Sequence, residues 1–235
     1  MMMAAARKKP TNWFAIGVTA AALVVVLVVG GIVWFANSQA SSPGTVPEAA
    51  AVNADNGAIA IGSGSKTVDT YIDFMCPICD SFEQSYGPTL QQLASDNTIT
   101  LNVHPISILD AQSQGTQYST RAASAAYCVA VDNVANVPAF MKAMYAQQPK
   151  EGSAGLDNAT IASIATTAGA SDAVTSCITN GTYTKFVTAM TKKTPVQPGA
   201  SGIATPTIAV NGTVLSNQKD LTGDPQKDIV ARLNG

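Results

Sequence analysis

The sequence predicts an α/β fold: a sheet containing a parallel strand pair, an inserted all-helical subdomain, and one N-terminal transmembrane helix ahead of both. Three observations carry this. In residues 68–79 a β-branched and aromatic strand runs directly into two cysteines and a helical pattern, with apolar side chains at Ile78, Phe82, Leu90 and Leu93. In residues 98–103 Ile99, Leu101 and Val103 alternate, so a strand follows that helix and, reached by a helical crossover, lies parallel to the first. Residues 13–36 are almost wholly apolar and long enough to cross a bilayer.

Strand, then Cys76-Pro77-Ile78-Cys79, then helix is a chemical arrangement. A cysteine at a helix N-terminus meets unpaired N–H groups and the positive end of the helix dipole, and both favour a thiolate. Cys76 is therefore expected to have a depressed pKa and to be the attacking sulfur. Cys79, one turn on, is placed to close a disulfide with it or to resolve a mixed one. Pro77 suits the first helical turn, where its missing N–H costs nothing. Zinc is a competing use of such a pair, but it needs a second ligand pair at short spacing; Cys128, Cys177 and His104 are scattered, and no metal is expected. A plain structural disulfide is disfavoured because so small a loop is a poor entropic staple. Further on, a Thr205-Pro206 pair opens a strand that ends in the hairpin signal Asn211-Gly212.

Together these residues resemble the DsbA-like thiol-disulfide oxidoreductases of the thioredoxin superfamily. The resemblance rests on Asp73-Phe74-Met75-Cys76-Pro77-Ile78-Cys79, on His104-Pro105-Ile106 closing the next strand, and on Thr205-Pro206-Thr207 before Asn211-Gly212. It implies a thioredoxin-like fold with an inserted helical subdomain, a cis bond before Pro206, and Pro206 lying against the cysteine pair with the Thr205 backbone offered to a substrate strand. Catalysis then falls to Cys76, Cys79, Thr205 and Pro206. Two residues depart from the family pattern. Ala204 stands where many relatives have glycine, and Ile78 where the most strongly oxidising members have histidine, so extreme oxidising power does not carry over.

Arg7, Lys8 and Lys9 precede the apolar run, and no charged residue follows until Glu48. Trp13-Phe14 and Trp34-Phe35 bracket the run; at helical rise the two indoles stand about 31 Å apart, close to the hydrocarbon thickness. The basic cluster places residues 1–12 in the cytoplasm, 13–36 in the cell membrane as a single-pass anchor, and the rest outside. A cleaved signal peptide is the alternative, since Ser38-Gln39-Ala40 has the small-x-Ala form, although the run is longer than a usual signal core. Either route exports the remainder. Residues 37–57, rich in Ser, Pro, Ala, Gly and Asn, read as a flexible linker. The globular domain is then 58–235, with its helical insertion at about 112–193.

Without the three N-terminal cations the chain has 10 basic against 15 acidic residues, a net charge of −5, and no basic stripe, which excludes nucleic acid as a partner. Gly62-Ser63-Gly64-Ser65 lacks the lysine and following helix of a phosphate loop and reads as a turn between strands at 58–61 and 66–75. The helix at 76–95 should kink at Gly87-Pro88. His104-Pro105 should finish on the sheet edge that bears Cys76, which makes His104, with Pro77 and Ile78, a candidate modulator of the thiolate. Asp73 is a candidate for proton transfer to Cys79, whereas Asp80 and Glu83 read as solvated acids of the first helical turns. Further helices are expected at 137–146, 159–168, 171–178 and 183–190, and Ala122, Ala125, Ala126 and Val129 mark the apolar face of another. Cys128 and Cys177 fall in this region. In an exported chain with four cysteines they are expected to pair as a structural disulfide, the rivals being two buried free thiols or a second redox pair. Asp224 caps the last helix, with Pro225 at its first position.

The expected function is that of an extracytoplasmic oxidase donating the Cys76–Cys79 disulfide to reduced exported polypeptides, with no cofactor of its own. The resemblance implies a reoxidant, a quinone-coupled membrane protein of the DsbB or vitamin K epoxide reductase type. The alternatives are a reductase or isomerase on the same scaffold, for instance in cytochrome c maturation, and a non-catalytic peptide-binding module.

Overall fold

A computed structural model describes residues 27–34 and 44–234 of the chain, which divides into two units, Met1–Ser42 and Pro43–Gly235. Of the first unit, residues 27–34 are helical and exposed. The remainder of the expected 13–36 anchor, and all of 1–12, lie outside the described residues. Among those described, no helix is long and apolar enough to cross a membrane.

The second unit is built on a five-stranded sheet: β1 (Ile59–Ile61), β2 (Lys66–Ile72), β3 (Ile99–Pro105), β4 (Thr207–Val210) and β5 (Thr213–Val214), in the order β1-β3-β2-β4-β5. β2 and β3 are parallel, with Tyr71 opposite His104, because α1 (Pro77–Ser95) carries the chain from the end of one back to the start of the other. The other pairings are antiparallel. In β2 the side chains of Val68, Thr70 and Ile72 are buried in alternation, the period of a strand. Gly64 in the β1–β2 turn passes so close to β3 that a Cβ would stand 2.4 Å from the Ile99 nitrogen. Asn211 and Gly212 both take positive φ, 49° and 79°, as the turn between β4 and β5 requires.

Strand β2 ends at Ile72, three residues before the expected boundary at Met75. The reason is local. The Asp73 carboxylate accepts from Met75 N at 2.9 Å and Cys76 N bonds back to Asp73 O at 3.0 Å, so residues 73–76 leave the sheet as a turn and deliver Cys76 to the N-cap of α1. Helix α1 continues without a break through Pro88, where the kink was expected.

The insertion comprises α2 (Tyr118–Asn133), α3 (Val137–Ala146), α4 (Asn158–Thr167), α5 (Ala173–Thr179) and α6 (Thr184–Thr191). The four expected helices appear within two residues of their predicted ends. Helix α2 differs from the single apolar face expected of it: from Tyr118 to Ala130 only Arg121 is not buried. Its alanines and serines are small enough for neighbours to close around it on every side. Cys128 on α2 and Cys177 on α5 are joined by a disulfide with S–S 2.01 Å.

Residues 44–57 correct the expected linker. Val52 is 9% exposed and bridges to Ile59, Ala60 N donates to Ala51 O at 2.8 Å, and Val46 and Ala49 pack on the core. The buried hydroxyl of Tyr127 donates to Gly57 O at 2.7 Å. A Cβ at Gly57 would meet Met190 Cγ at 2.7 Å, so the segment lies tight against the insertion. Polar composition concealed Val46, Ala49 and Val52, spaced three apart, which is the signal of an apolar face.

At the C-terminus Asp224 accepts from Gln226 N and Lys227 N, as an N-cap does, but the first turn it opens, Gln226–Val230, is a π-helix that continues as Ala231–Leu233.

Candidate redox site

The end of β2, the N-terminus of α1 and the start of β4 meet at one edge of the sheet, since Tyr71 pairs with Thr207 in the β2–β4 register. Cys76 and Cys79 are both free and buried there, 5% and 0% exposed. The bond between Thr205 and Pro206 is cis. Cys76 Sγ lies 3.6 Å from Thr205 O and Cys79 Sγ lies 3.0 Å from Thr205 Oγ1, so one residue touches both sulfurs, the first through its backbone and the second through its hydroxyl. Tyr71 O, 3.3 Å from that hydroxyl, is the other acceptor within reach of its one hydrogen. Gln197 fastens the strand from behind, its Nε2 donating to Pro206 O and Thr207 Oγ1, both at 2.9 Å.

The two sulfurs are driven apart electrostatically. A hydrogen bond from the Cys79 thiol holds the Cys76 pKa below the usual thiol range, the backbone N–H groups of Cys79 and Ile78 add to it, and burial and the Asp73 charge oppose it. The helix N-terminus acts as expected, but the neighbouring thiol contributes more. Burial first, and then the proximity of Cys76, push the Cys79 pKa well above that range. The arrangement makes Cys76 the sulfur that ionises more readily and Cys79 the one that holds its proton.

The candidate modulators separate. Pro77 occupies the first turn of α1, and Ile78 between the cysteines is 63% exposed. Asp73 is completely buried, and its two oxygens accept from Met75 N at 2.9 Å and Leu109 N at 3.0 Å. Burial raises its pKa to about 6, against these hydrogen bonds. It therefore sits within electrostatic reach of Cys76 while both its oxygens are engaged by backbone. His104 is placed otherwise. Its Nε2 is 3.0 Å from Asp69 Oδ1, its Nδ1 is 3.3 Å from Asn56 O, and its ring stacks on Tyr71 at 4.0 Å. Both ring nitrogens are spent on the sheet and the 44–57 segment, which gives His104 a structural position rather than a place at the sulfurs. Glu83, expected on a solvated face, is half-buried with its pKa raised by burial, and accepts from Gln91 Nε2 at 2.9 Å. Among the described residues, no group of three or more His, Cys, Asp or Glu side chains is arranged to hold a metal ion.

Some contacts had no signal in the sequence. The Thr205 hydroxyl at Cys79 depends on the strand register. Gln148, just past α3, donates through Nε2 to Phe74 O at 3.1 Å and Cys76 O at 3.0 Å. Gln148 precedes a proline, and nothing in that dipeptide indicates a partner more than seventy residues away.

Fold and site together define a class, the protein thiol-disulfide oxidoreductases built on a thioredoxin-like sheet. The chain belongs to the thioredoxin family, whose pattern it matches over residues 56–223. It is similar to two solved structures from Mycobacterium tuberculosis, the reduced form of the disulfide bond oxidoreductase DsbG and reduced DsbA. Identities are 32% and 33%, the TM-score is 0.60 for each, and the match covers 68% of this chain and 80% and 84% of theirs. BdbD from Bacillus subtilis, at 19% identity and TM-score 0.58 over 75% of this chain and 92% of its own, shares the fold. Among curated proteins the chain is 33% identical over 174 residues to the serine/threonine-protein kinase PknE of Mycobacterium tuberculosis, covering 70% of this chain and only 30% of the kinase's length.

Proposed function

We propose that the chain is an extracytoplasmic protein thiol-disulfide oxidoreductase, held at the cell membrane by its N-terminal apolar segment and working as an oxidase of exported polypeptides. The observation that carries this reading is the split between the sulfurs: Cys76 lowered, Cys79 raised, with the Thr205-Pro206 strand against both. In the oxidised enzyme a substrate thiolate attacks Cys76 Sγ; the Cys76–Cys79 bond breaks, its electron pair leaves with Cys79, and Cys79 takes up a proton. A second substrate thiolate then attacks the substrate sulfur of the mixed disulfide and expels Cys76 as thiolate. Two electrons have passed from substrate to enzyme, and the substrate holds the disulfide. Stabilising the Cys76 thiolate stabilises the reduced enzyme, and that makes the oxidised enzyme an oxidant.

Apolar side chains on the segments flanking the sulfurs support a polypeptide substrate: Ile78 is 63% exposed, Val196 50% and Ile203 39%. The helical, exposed and apolar stretch 27–34 supports the anchor. Reoxidation falls to a quinone-coupled membrane partner of the DsbB or vitamin K epoxide reductase type. The test is equilibration of the full chain against glutathione, with oxidation of a reduced model protein measured alongside. A potential near or below about −270 mV, thioredoxin's value, would reverse the direction and make the chain a reductase. One observation favours a second reading as a sensing or binding module, namely the match to 30% of a kinase's length. Failure of the chain to oxidise the model protein while still binding it would establish that reading.

A further inference from the structure

We propose that Gln148 is a positioning residue for the redox reaction: its side-chain amide reaches from the helical insertion to the carbonyl oxygens of Phe74 and Cys76 and holds the attacking cysteine in place. The inference rests on the thiol-disulfide reading above. Gln148 is half-buried two residues past the end of α3, where its backbone N–H bonds to Tyr145 O at 3.0 Å. One amide nitrogen, with two hydrogens, serves two acceptors in the turn that presents Cys76, at 3.1 and 3.0 Å.

Cys76 O is the carbonyl that starts α1. It already accepts from Cys79 N at 3.0 Å and Asp80 N at 3.3 Å, so the Gln148 contact is a third donor on an oxygen that helix geometry alone would satisfy. This carbonyl belongs to the peptide joining Cys76 to Pro77. Rotation of that peptide swings the Cys76 side chain relative to the N–H groups of Ile78 and Cys79, the backbone donors that favour its charge. The amide hydrogens also offset the negative ends of two carbonyl dipoles beside the thiolate. Gln148 thus acts on the sulfur in the same direction twice, by fixing geometry and by placing positive partial charge on two oxygens of the turn that carries it.

The test uses the full chain with Gln148→Met, which keeps the length and removes the donor, and Gln148→Glu, which keeps the shape and turns donor into acceptor. The readouts are the pH midpoint of Cys76 alkylation and the equilibrium constant with glutathione. The midpoint should rise in the order native, Met, Glu. The glutathione equilibrium should move towards the enzyme disulfide by about three- to tenfold in Gln148→Met, the worth of one or two ordinary hydrogen bonds, and further in Gln148→Glu. A strut that merely joins the insertion to the sheet would lower the unfolding temperature of both variants and leave both readouts unmoved, and that result overturns the proposal. Equal shifts in Met and Glu overturn it too, because they follow shape and not donation. Should Gln148→Met fail to fold, Gln148→Glu against the native chain carries the same two readouts. A native chain whose Cys76 alkylates like a free cysteine would instead overturn the redox reading beneath.

Discussion

Asp73 gives the sharpest stability prediction. A carboxyl that ordinarily titrates at 3.8 titrates here at about 6, chiefly because it is buried. Below pH ~4 both folded and unfolded chains hold this proton and the group contributes no difference. Between about pH 4 and 6 the unfolded chain releases it while the folded chain keeps it, so stability falls as pH rises; above that window the loss is complete at about 3 kcal/mol. Asp73→Asn removes this titration. It keeps one acceptor for Met75 N or Leu109 N and turns a donor towards the other, a cost of about 1–2 kcal/mol. The curves therefore cross. At pH 7.5 the variant should be the more stable by about 1–2 kcal/mol, a rise of about 2–6 °C in Tm, and at pH 4 the less stable by a similar amount. Thermal unfolding followed by circular dichroism at pH 4, 5, 6 and 7.5 measures both curves. Parallel curves across that range would refute the reasoning, since a carboxyl that ionises equally in both states contributes no slope. The same substitution removes a negative charge facing Cys76 and should lower the pH midpoint of its alkylation.

Other expectations follow from the contacts. Thr205→Val keeps the volume and deletes the hydroxyl 3.0 Å from Cys79 Sγ, so expulsion of the Cys79 thiolate, read as the rate of substrate oxidation in stopped flow, should slow by about three- to tenfold. An unchanged rate would remove Thr205 from the mechanism. Replacing both Cys128 and Cys177 by alanine opens a link between residues 49 apart and should cost about 4 kcal/mol in denaturant titration while leaving Cys76 alkylation as it was. A chain beginning at residue 44 should unfold at the native temperature, whereas one beginning at 58 loses Val52 from the core and the acceptor of the buried Tyr127 hydroxyl, roughly 3 kcal/mol in all. Equal stability of the two would return 44–57 to the status of a linker.

What the sequence disclosed was governed by short-range regularity. Alternation in 98–103, the helical period after Cys79 and the Asn211-Gly212 turn each depend on neighbours a few residues apart, and each appears in the fold. The cysteine pair was legible because strand, motif and helix are contiguous. The depth of Asp73, the grip of Gln148 and the partners of His104 depend on which strands lie side by side, and no local pattern encodes that. His104 shows the limit well. Its position at the end of β3 follows from the parallel pairing, yet its ring is engaged by Asp69 across the sheet and by Asn56 from a segment whose composition suggested no structure.

Helix α2, enclosed on every side, leaves the insertion little slack of its own. Relative movement between insertion and sheet has to be absorbed by the two crossings of the chain between them, 106–117 and 192–206. Each crossing carries a fastening to the turn before the redox pair or to the proline segment, Leu109 N to the Asp73 carboxylate and Gln197 to Pro206. The sulfurs sit where insertion and sheet meet, at a turn held from the insertion by Gln148 and from the first crossing by Leu109 N.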